Sequence, residues 1–223
     1  MLDRLTDSYL ILMLTVVSII IAIISENTVQ FLCVNILFLF TMSLISFRGV
    51  YKHNHVYSHR SLKVLLLLIL TAFLADLFLY FNWIPTFKTF FLVYAGLIRV
   101  GIFAYGWLTT VKILAHRSKV TNQTIILAIT AYLFIGIIWS FIYFMIWQID
   151  PQAFHINEQR EYELKPWNLA MYFSLITLTT VGYGDIFPVG KWVMVLANFE
   201  AMAGAIYLTV IVARLVSLYS TPD

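Results

Sequence analysis

The chain has 223 residues, of which 61% are hydrophobic and only 11% are charged. A soluble domain carries about 25% charged residues, so this chain has too few charges to cover a water-facing surface. The composition therefore excludes an ordinary soluble protein and indicates a membrane protein. The net charge of +3 is too small to indicate a partner such as nucleic acid.

Six apolar segments reach or approach the roughly 20 residues that a membrane-spanning helix needs. The first segment is the shortest, and we interpret it as a retained helix because no strongly basic head or small-residue cleavage site accompanies it. The pattern predicts an all-α membrane protein with six transmembrane helices. In chain order the six segments are Tyr9–Ser25, Thr28–Phe47, Val64–Trp83, Phe90–Ala115, Thr124–Trp147 and Trp192–Tyr219.

A seventh segment, Pro166–Thr179, is apolar but too short to cross the membrane. At 1.5 Å per residue this helix would cover only ~21 Å. We therefore predict a re-entrant helix between the fifth and sixth spans. The chain then divides into a four-helix domain over residues 1–119 and a second domain over residues 120–223.

The distribution of lysine and arginine predicts the orientation, because these residues favour short cytoplasmic loops. If the N-terminus is cytoplasmic, nine of the fourteen lie inside, four lie outside, and Arg99 lies within a span. Both termini are therefore predicted to be cytoplasmic in a multi-pass protein of the cell membrane. The loop over residues 148–165 is predicted to lie outside.

Residues 177–185, which read TLTTVGYGD, follow the predicted re-entrant helix directly. Irregular backbone at membrane depth is tolerated only where protein buries it or where it lines a water-filled path. Gly182 and Gly184 stand at alternate positions, and glycine adopts backbone angles that other residues resist. Successive carbonyl groups can therefore point to one side, so that several such loops around an axis form stacked rings of oxygen atoms.

The TVGYGD motif at Thr180–Asp185 resembles the selectivity filter of the potassium channel superfamily. Its context is similar too, because a short helix precedes it and the long segment NFEAMAGAIYLTVIVARLV resembles the inner helix of small bacterial members. The resemblance implies a homotetrameric, potassium-selective channel among membrane lipids. It implies neither an enzyme nor a cofactor beyond the permeant K⁺ itself.

The resemblance also assigns roles to individual residues. The carbonyl groups of residues 180–183, with the Thr180 hydroxyl, would bind K⁺, and Gly184 would close the outer mouth. Asp185 would lie behind the filter, hydrogen-bonded to an aromatic residue of the pore helix at Tyr172. The residues predicted to bind the ion are Thr180, Val181, Gly182, Tyr183 and Gly184, and those predicted to support the filter are Asp185, Tyr172, Phe173, Thr179 and Glu200.

Two residues of the last span carry predictions of their own. Gly204 lies 22 residues after Gly182, where the family commonly has a hinge glycine, although close packing among neighbouring alanines would also explain it. Glu200 is a carboxyl group within a span, which is energetically costly and suggests a function. We predict that Glu200 hydrogen-bonds a pore-helix hydroxyl such as Ser174 or Thr177, with its protonation state left open.

Six spans with a filter between the last two resemble the voltage-gated layout, whose fourth span carries several arginines at every third position. Here Arg99 stands alone, since Ile102 and Tyr105 occupy the next two such positions. Asp76 in the third span lies at a similar depth, which predicts an Asp76–Arg99 ion pair. One charge per subunit predicts a degenerate sensor and a weakly voltage-dependent or constitutive channel.

Three alternatives share parts of this pattern. A potassium transporter subunit usually carries four filter-like loops in one long chain, whereas this chain has one. A non-selective cation channel usually alters the portion that here reads Tyr183–Gly184. A non-conducting regulatory subunit stays open, because a sequence does not report current. The sequence also leaves the gating stimulus and the lipid requirement open.

Overall fold

A computed structural model describes residues 2–24, 59–81, 85–117, 119–156 and 165–219 of the chain. These residues form six α-helices, two single-turn 3₁₀ helices at Pro85–Phe87 and Pro151–Ala153, and two short strands. The α-helices are α1 (Leu2–Ile24), α2 (His59–Phe81), α3 (Lys88–Ala115), α4 (Asn122–Ile149), α5 (Pro166–Leu178) and α6 (Lys191–Tyr219), and the strands are β1 (Phe154–Ile156) and β2 (Ile186–Pro188).

Three of the described helices, α3, α4 and α6, are long and apolar enough to cross a membrane. Helices α1 and α2 contain shorter apolar stretches, Leu12–Ile21 and Leu67–Leu79. The predicted span Thr28–Phe47 lies outside the described residues. The described part of the chain is therefore mostly helical with three candidate membrane-spanning helices, and the count of six spans stays a prediction.

Helix α4 is the centre of the fold, because α1, α3, α5 and α6 all pack against it. The six residues between α3 and α4 make a short connection, which favours antiparallel packing of the two helices side by side. A capping box fixes the start of α4, where the Thr121 hydroxyl accepts from the Thr124 backbone and the Thr124 hydroxyl accepts from the Thr121 backbone. Phe103 of α3 packs on Phe134 and Phe141 of α4, with ring centroids 5.9 and 5.7 Å apart.

A buried ion pair joins α2 to α3. The Arg99 guanidinium donates to the Asp76 carboxylate, so the predicted pair is present in the structure. The same guanidinium lies over the ring of Phe141, with its Cζ 5.7 Å from the ring centroid. Arg99 therefore contacts both the neighbouring helix α2 and the central helix α4.

The Asp76–Arg99 pair can be tested by removing its charges singly and together. The Arg99→Gln variant should lose about 3–5 kcal/mol of stability, because it leaves the Asp76 carboxylate buried without a partner. Adding Asp76→Asn should restore most of that loss, since the remaining pair is neutral. Thermal unfolding of the purified protein in detergent measures both effects. An equal loss in the single and double variants would contradict this account.

Candidate functional site

The loop that follows α5 has an unusual alternating backbone. Thr180, Gly182 and Gly184 have positive φ angles of 58°, 51° and 79°, whereas the residues between them do not. Alternating left- and right-handed angles turn successive N–H groups to one side of the chain, which leaves the carbonyl groups on the other. The two glycines were expected to allow this path. The positive φ of Thr180 was not expected, because a β-branched residue rarely adopts a positive φ.

Hydrogen bonds to α5 define the two sides of this loop. The N–H groups of Val181 and Gly182 donate to the Ile176 carbonyl at 2.9 and 3.2 Å. The N–H of Thr180 donates to the Thr177 carbonyl at 3.0 Å. The N–H side therefore faces the last turn of α5, and the carbonyl side faces away from it. In the single chain residues 179–184 are exposed, and Tyr183 is 71% exposed.

The end of the loop is tied to α5 by two aromatic side chains and a carboxylate. The Tyr172 hydroxyl donates to Asp185 Oδ2 at 2.8 Å, which is the predicted contact between the helix and the carboxylate. The rings of Tyr172 and Tyr183 stack nearly parallel, with centroids 6.4 Å apart. Tyr172 thus holds the loop both through its hydroxyl and through its ring.

A two-stranded antiparallel sheet braces the chain beyond the loop. Strand β2 follows Asp185 directly and pairs with β1 in a register that places His155 opposite Phe187. The N–H groups of Val189 and Gly190 also donate to the Ala153 carbonyl, at 2.9 and 3.0 Å. The chain that leaves the loop is therefore joined to the chain that leaves α4. The sequence reasoning did not find this pairing.

Two more of the residues predicted to support the filter, Phe173 and Thr179, make contacts outside the loop itself. Phe173 is buried, and its ring packs against Tyr143 at 4.9 Å and Phe154 at 5.4 Å. The Thr179 hydroxyl donates to the Leu175 carbonyl at 2.6 Å, within its own helix end. Phe173 thus anchors α5 to α4 and β1, and Thr179 closes the last turn of α5.

Glu200 is fully buried where α6 meets α5 and α4. Its Oε1 lies 2.6 Å from the Ser174 hydroxyl, which is one of the two contacts predicted for it. The same Ser174 hydroxyl lies 2.8 Å from the Gly136 carbonyl of α4. The Tyr143 hydroxyl of α4 lies next to this carboxyl, whose second oxygen, Oε2, has no hydrogen-bond partner among the described residues. Tyr143 and Gly136 were missed because nothing in their sequence context points to a carboxyl 57 or more residues away.

Gly204 lies directly against the end of α5. A Cβ atom at this position would be 2.2 Å from the Leu178 carbonyl oxygen, which no real side chain tolerates. The same carbonyl accepts a hydrogen bond of 3.1 Å from the Tyr132 hydroxyl. Close packing thus accounts for this glycine, and a hinge at Gly204 stays a prediction.

An arginine joins the other end of α6 to α3. The Arg214 guanidinium donates to the Ala115 carbonyl, the last residue of α3. A cation at a helix C-terminus is favourable because the last carbonyl groups carry partial negative charge. Helix α6 therefore contacts α5 through Glu200 and Gly204 and contacts α3 through Arg214.

Comparisons with known proteins agree with this geometry. Residues 131–221, less than half of the chain, match a family model described as "Ion channel". The uncharacterized membrane protein YdjJ of Bacillus subtilis (strain 168) is 28% identical over 156 residues. That match covers 69% of this chain and 43% of YdjJ, so the chain spans less than half the length of this relative. The part of the chain that is similar to an ion channel domain therefore includes α5, the loop and α6.

The contact at Gly204 predicts a strong effect of one added methyl group. The Gly204→Ala variant should lose about 1–3 kcal/mol of stability, because the methyl group forces α6 away from the Leu178 carbonyl. Thermal unfolding in detergent measures the loss. Gly101→Ala is the matched control, since a Cβ at Gly101 in α3 meets no atom within 4 Å. It should be neutral or slightly stabilising, and equal losses in both variants would contradict the packing account.

Proposed function

We propose that the chain is one subunit of a homotetrameric, potassium-selective channel that conducts K⁺ passively across the cell membrane. The observation that carries the proposal is the Thr180–Asp185 loop. Its sequence is TVGYGD, its backbone alternates in φ, and its N–H groups are turned toward α5. Carbonyl groups on the opposite side would replace the water shell of a K⁺ ion, as in the filter sequence to which this loop is similar.

The ion sites follow from this arrangement. The carbonyl oxygens of Thr180, Val181, Gly182 and Tyr183 and the Thr180 hydroxyl would bind K⁺, with Gly184 at the outer mouth. Asp185 and Tyr172 would keep the loop at a fixed distance from α5 through their 2.8 Å hydrogen bond. The C-terminal end of α5 carries partial negative charge, which favours a cation next to it.

The exposed surface of one chain supports assembly into a tetramer. The chain has one such loop, and a ring of carbonyl oxygens needs several copies around an axis. Irregular backbone at membrane depth must also be covered by protein or line an aqueous path. Helix α6 is scarcely covered by its own chain, and Phe199, Met202 and Ile206 are each more than half exposed. Copies of the same chain would cover this apolar face and complete the ring.

The orientation completes the proposal. Both termini would be cytoplasmic, as the lysine and arginine distribution predicts. The β1–β2 sheet and the outer end of the loop would then face the outside. The end of α6 that holds Arg214 against Ala115 would lie near the cytoplasmic face.

The environment of Arg99 supports the proposal that the channel depends only weakly on voltage. Its charge is buried, paired with Asp76 and covered by Phe141, so it is held between α2 and α4. Moving one elementary charge through the whole membrane field yields about 2.3 kcal/mol per 100 mV. One charge in each of four subunits therefore supplies at most about 9 kcal/mol per 100 mV. We propose that Arg99 has a structural role and that the channel is weakly voltage-dependent or constitutive.

Purified protein in liposomes tests conduction and selectivity. Under an imposed gradient K⁺ flux should far exceed Na⁺ flux, and the intact protein should behave as a tetramer on crosslinking. The Gly182→Ala variant should abolish K⁺ flux without loss of the tetramer, because alanine resists the positive φ at this position. The Gly101→Ala variant should keep the flux. Folded protein without K⁺ flux would indicate a non-conducting subunit, and equal Na⁺ flux would indicate a non-selective channel.

Recordings across voltage test the role of Arg99. The open probability should change little with voltage, and the double variant Asp76→Asn with Arg99→Gln should give the same relation as the wild type. The double variant removes both charges while it keeps a polar side chain at each position. Steep activation that disappears in the double variant would show that Arg99 is a gating charge.

A further inference from the structure

The Ser174 hydroxyl makes two short oxygen–oxygen contacts, and only one of them can contain a hydrogen if Glu200 is ionised. The Ser174 hydroxyl carries one hydrogen and lies 2.6 Å from Glu200 Oε1 and 2.8 Å from the Gly136 carbonyl. A carboxylate and a carbonyl are both acceptors without a hydrogen to donate. With an ionised Glu200, one of these two short contacts would set lone pair against lone pair.

If Glu200 is a neutral carboxylic acid, each of the two contacts of the Ser174 hydroxyl contains one hydrogen. In this neutral form the Ser174 hydroxyl would accept from the Glu200 O–H at Oε1 and would donate its own hydrogen to the Gly136 carbonyl. The Tyr143 hydroxyl lies beside this carboxyl, and neither that hydroxyl nor Glu200 Oε2 has a hydrogen-bond partner among the described residues. The 2.6 Å distance between the Glu200 and Ser174 oxygens is within the normal range for O–H···O.

The surroundings of Glu200 contain no compensating positive charge in the described part of the chain. The groups that face its carboxyl are the Tyr143 and Tyr132 hydroxyls of α4 and the Ser174 hydroxyl of α5. The buried cation Arg99 is paired with Asp76. A fully buried carboxylate without a cation is energetically costly, so a bound proton is the favourable state.

We propose that Glu200 holds a proton in the conducting state and that this proton joins α6, α5 and α4 behind the filter loop. The inference rests on the proposed channel function for its effect on conduction, but the proton itself does not. Glu200 acts here as a positioning residue, because it reaches the loop only through α5. Ser174 lies two residues before Ile176, whose carbonyl holds the N–H groups of Val181 and Gly182.

The sign of the pH effect follows from the hydrogen count. The neutral form matches the described contacts, so its contribution is present at low and neutral pH and is lost as the pH rises and the proton leaves. One contact of Ser174 must then break, which releases α5 from either α6 or α4. We expect a reversible decrease of K⁺ flux at alkaline pH.

Infrared difference spectroscopy detects the proton without any measurement of flux. The wild type at neutral pH should show the C=O band of a protonated carboxylic acid, and this band should be absent from the Glu200→Gln variant. It should disappear from the wild type at alkaline pH. A wild-type spectrum without a protonated-carboxyl band that depends on Glu200 would overturn the proposal.

Flux through liposomes tests the positioning role. The Glu200→Gln variant keeps one acceptor and an N–H donor but has no proton to lose, so its flux at alkaline pH should equal its flux at neutral pH. Ser174→Ala removes the bridging hydroxyl and should lower the flux at neutral pH several-fold. Ser140→Ala is its control, because Ser140 is equally buried but donates within its own helix to Ile137.

The outcomes separate this inference from the channel function. An unchanged alkaline decrease in Glu200→Gln, or equal effects of Ser174→Ala and Ser140→Ala, would overturn the positioning role. A protonated-carboxyl band in protein that conducts no K⁺ would support the buried proton and refute the channel function.

Discussion

The structure of the candidate site depends on the carbonyl groups in the last turn of α5. The Ile176 and Thr177 carbonyls receive three consecutive N–H groups of the loop, which fixes its N–H side and leaves its carbonyl side free. The loop can hold this shape only while α5 itself is fixed. Ser174 contacts α4 and α6, and the Leu178 carbonyl contacts Tyr132 and the surface of Gly204. Support for the loop is therefore shared among three helices.

The strained backbone at Thr180 shows what this support achieves. A positive φ at a β-branched residue costs about 1–3 kcal/mol and persists only where surrounding contacts impose it. The bond from the Thr180 N–H to the Thr177 carbonyl is such a contact, and the bonds of the next two residues to Ile176 extend it. The rigid end of α5 is thus a condition for the alternating backbone.

The local features of the site and two contacts between helices were predictable from the sequence, whereas the other contacts between distant elements were not. The TVGYGD motif located the loop, and its resemblance to the potassium channel filter implied the Tyr172–Asp185 contact. Equal depth in two neighbouring helices predicted Asp76–Arg99 and the approach of Glu200 to Ser174. Tyr143, Arg214 and the pairing of β1 with β2 were missed, because each depends on which elements become neighbours in three dimensions. Thr180 was missed because its φ accompanies the hydrogen bonds between the loop and the last turn of α5 and opposes the preference of a β-branched residue.

The absence of a side chain at Gly204 has a mechanical consequence. The backbone of α6 contacts the Leu178 carbonyl there directly. No flexible side chain lies between them that could adjust its conformation when one helix moves. A tilt of α6 about this point is transmitted directly to the backbone at the end of α5. Arg214, which holds α6 to α3 at Ala115, lies ten residues beyond Gly204, whereas Glu200 lies only four residues before it. If α6 tilts as a rigid body, small movements near the filter would therefore correspond to larger movements at the opposite end of the helix.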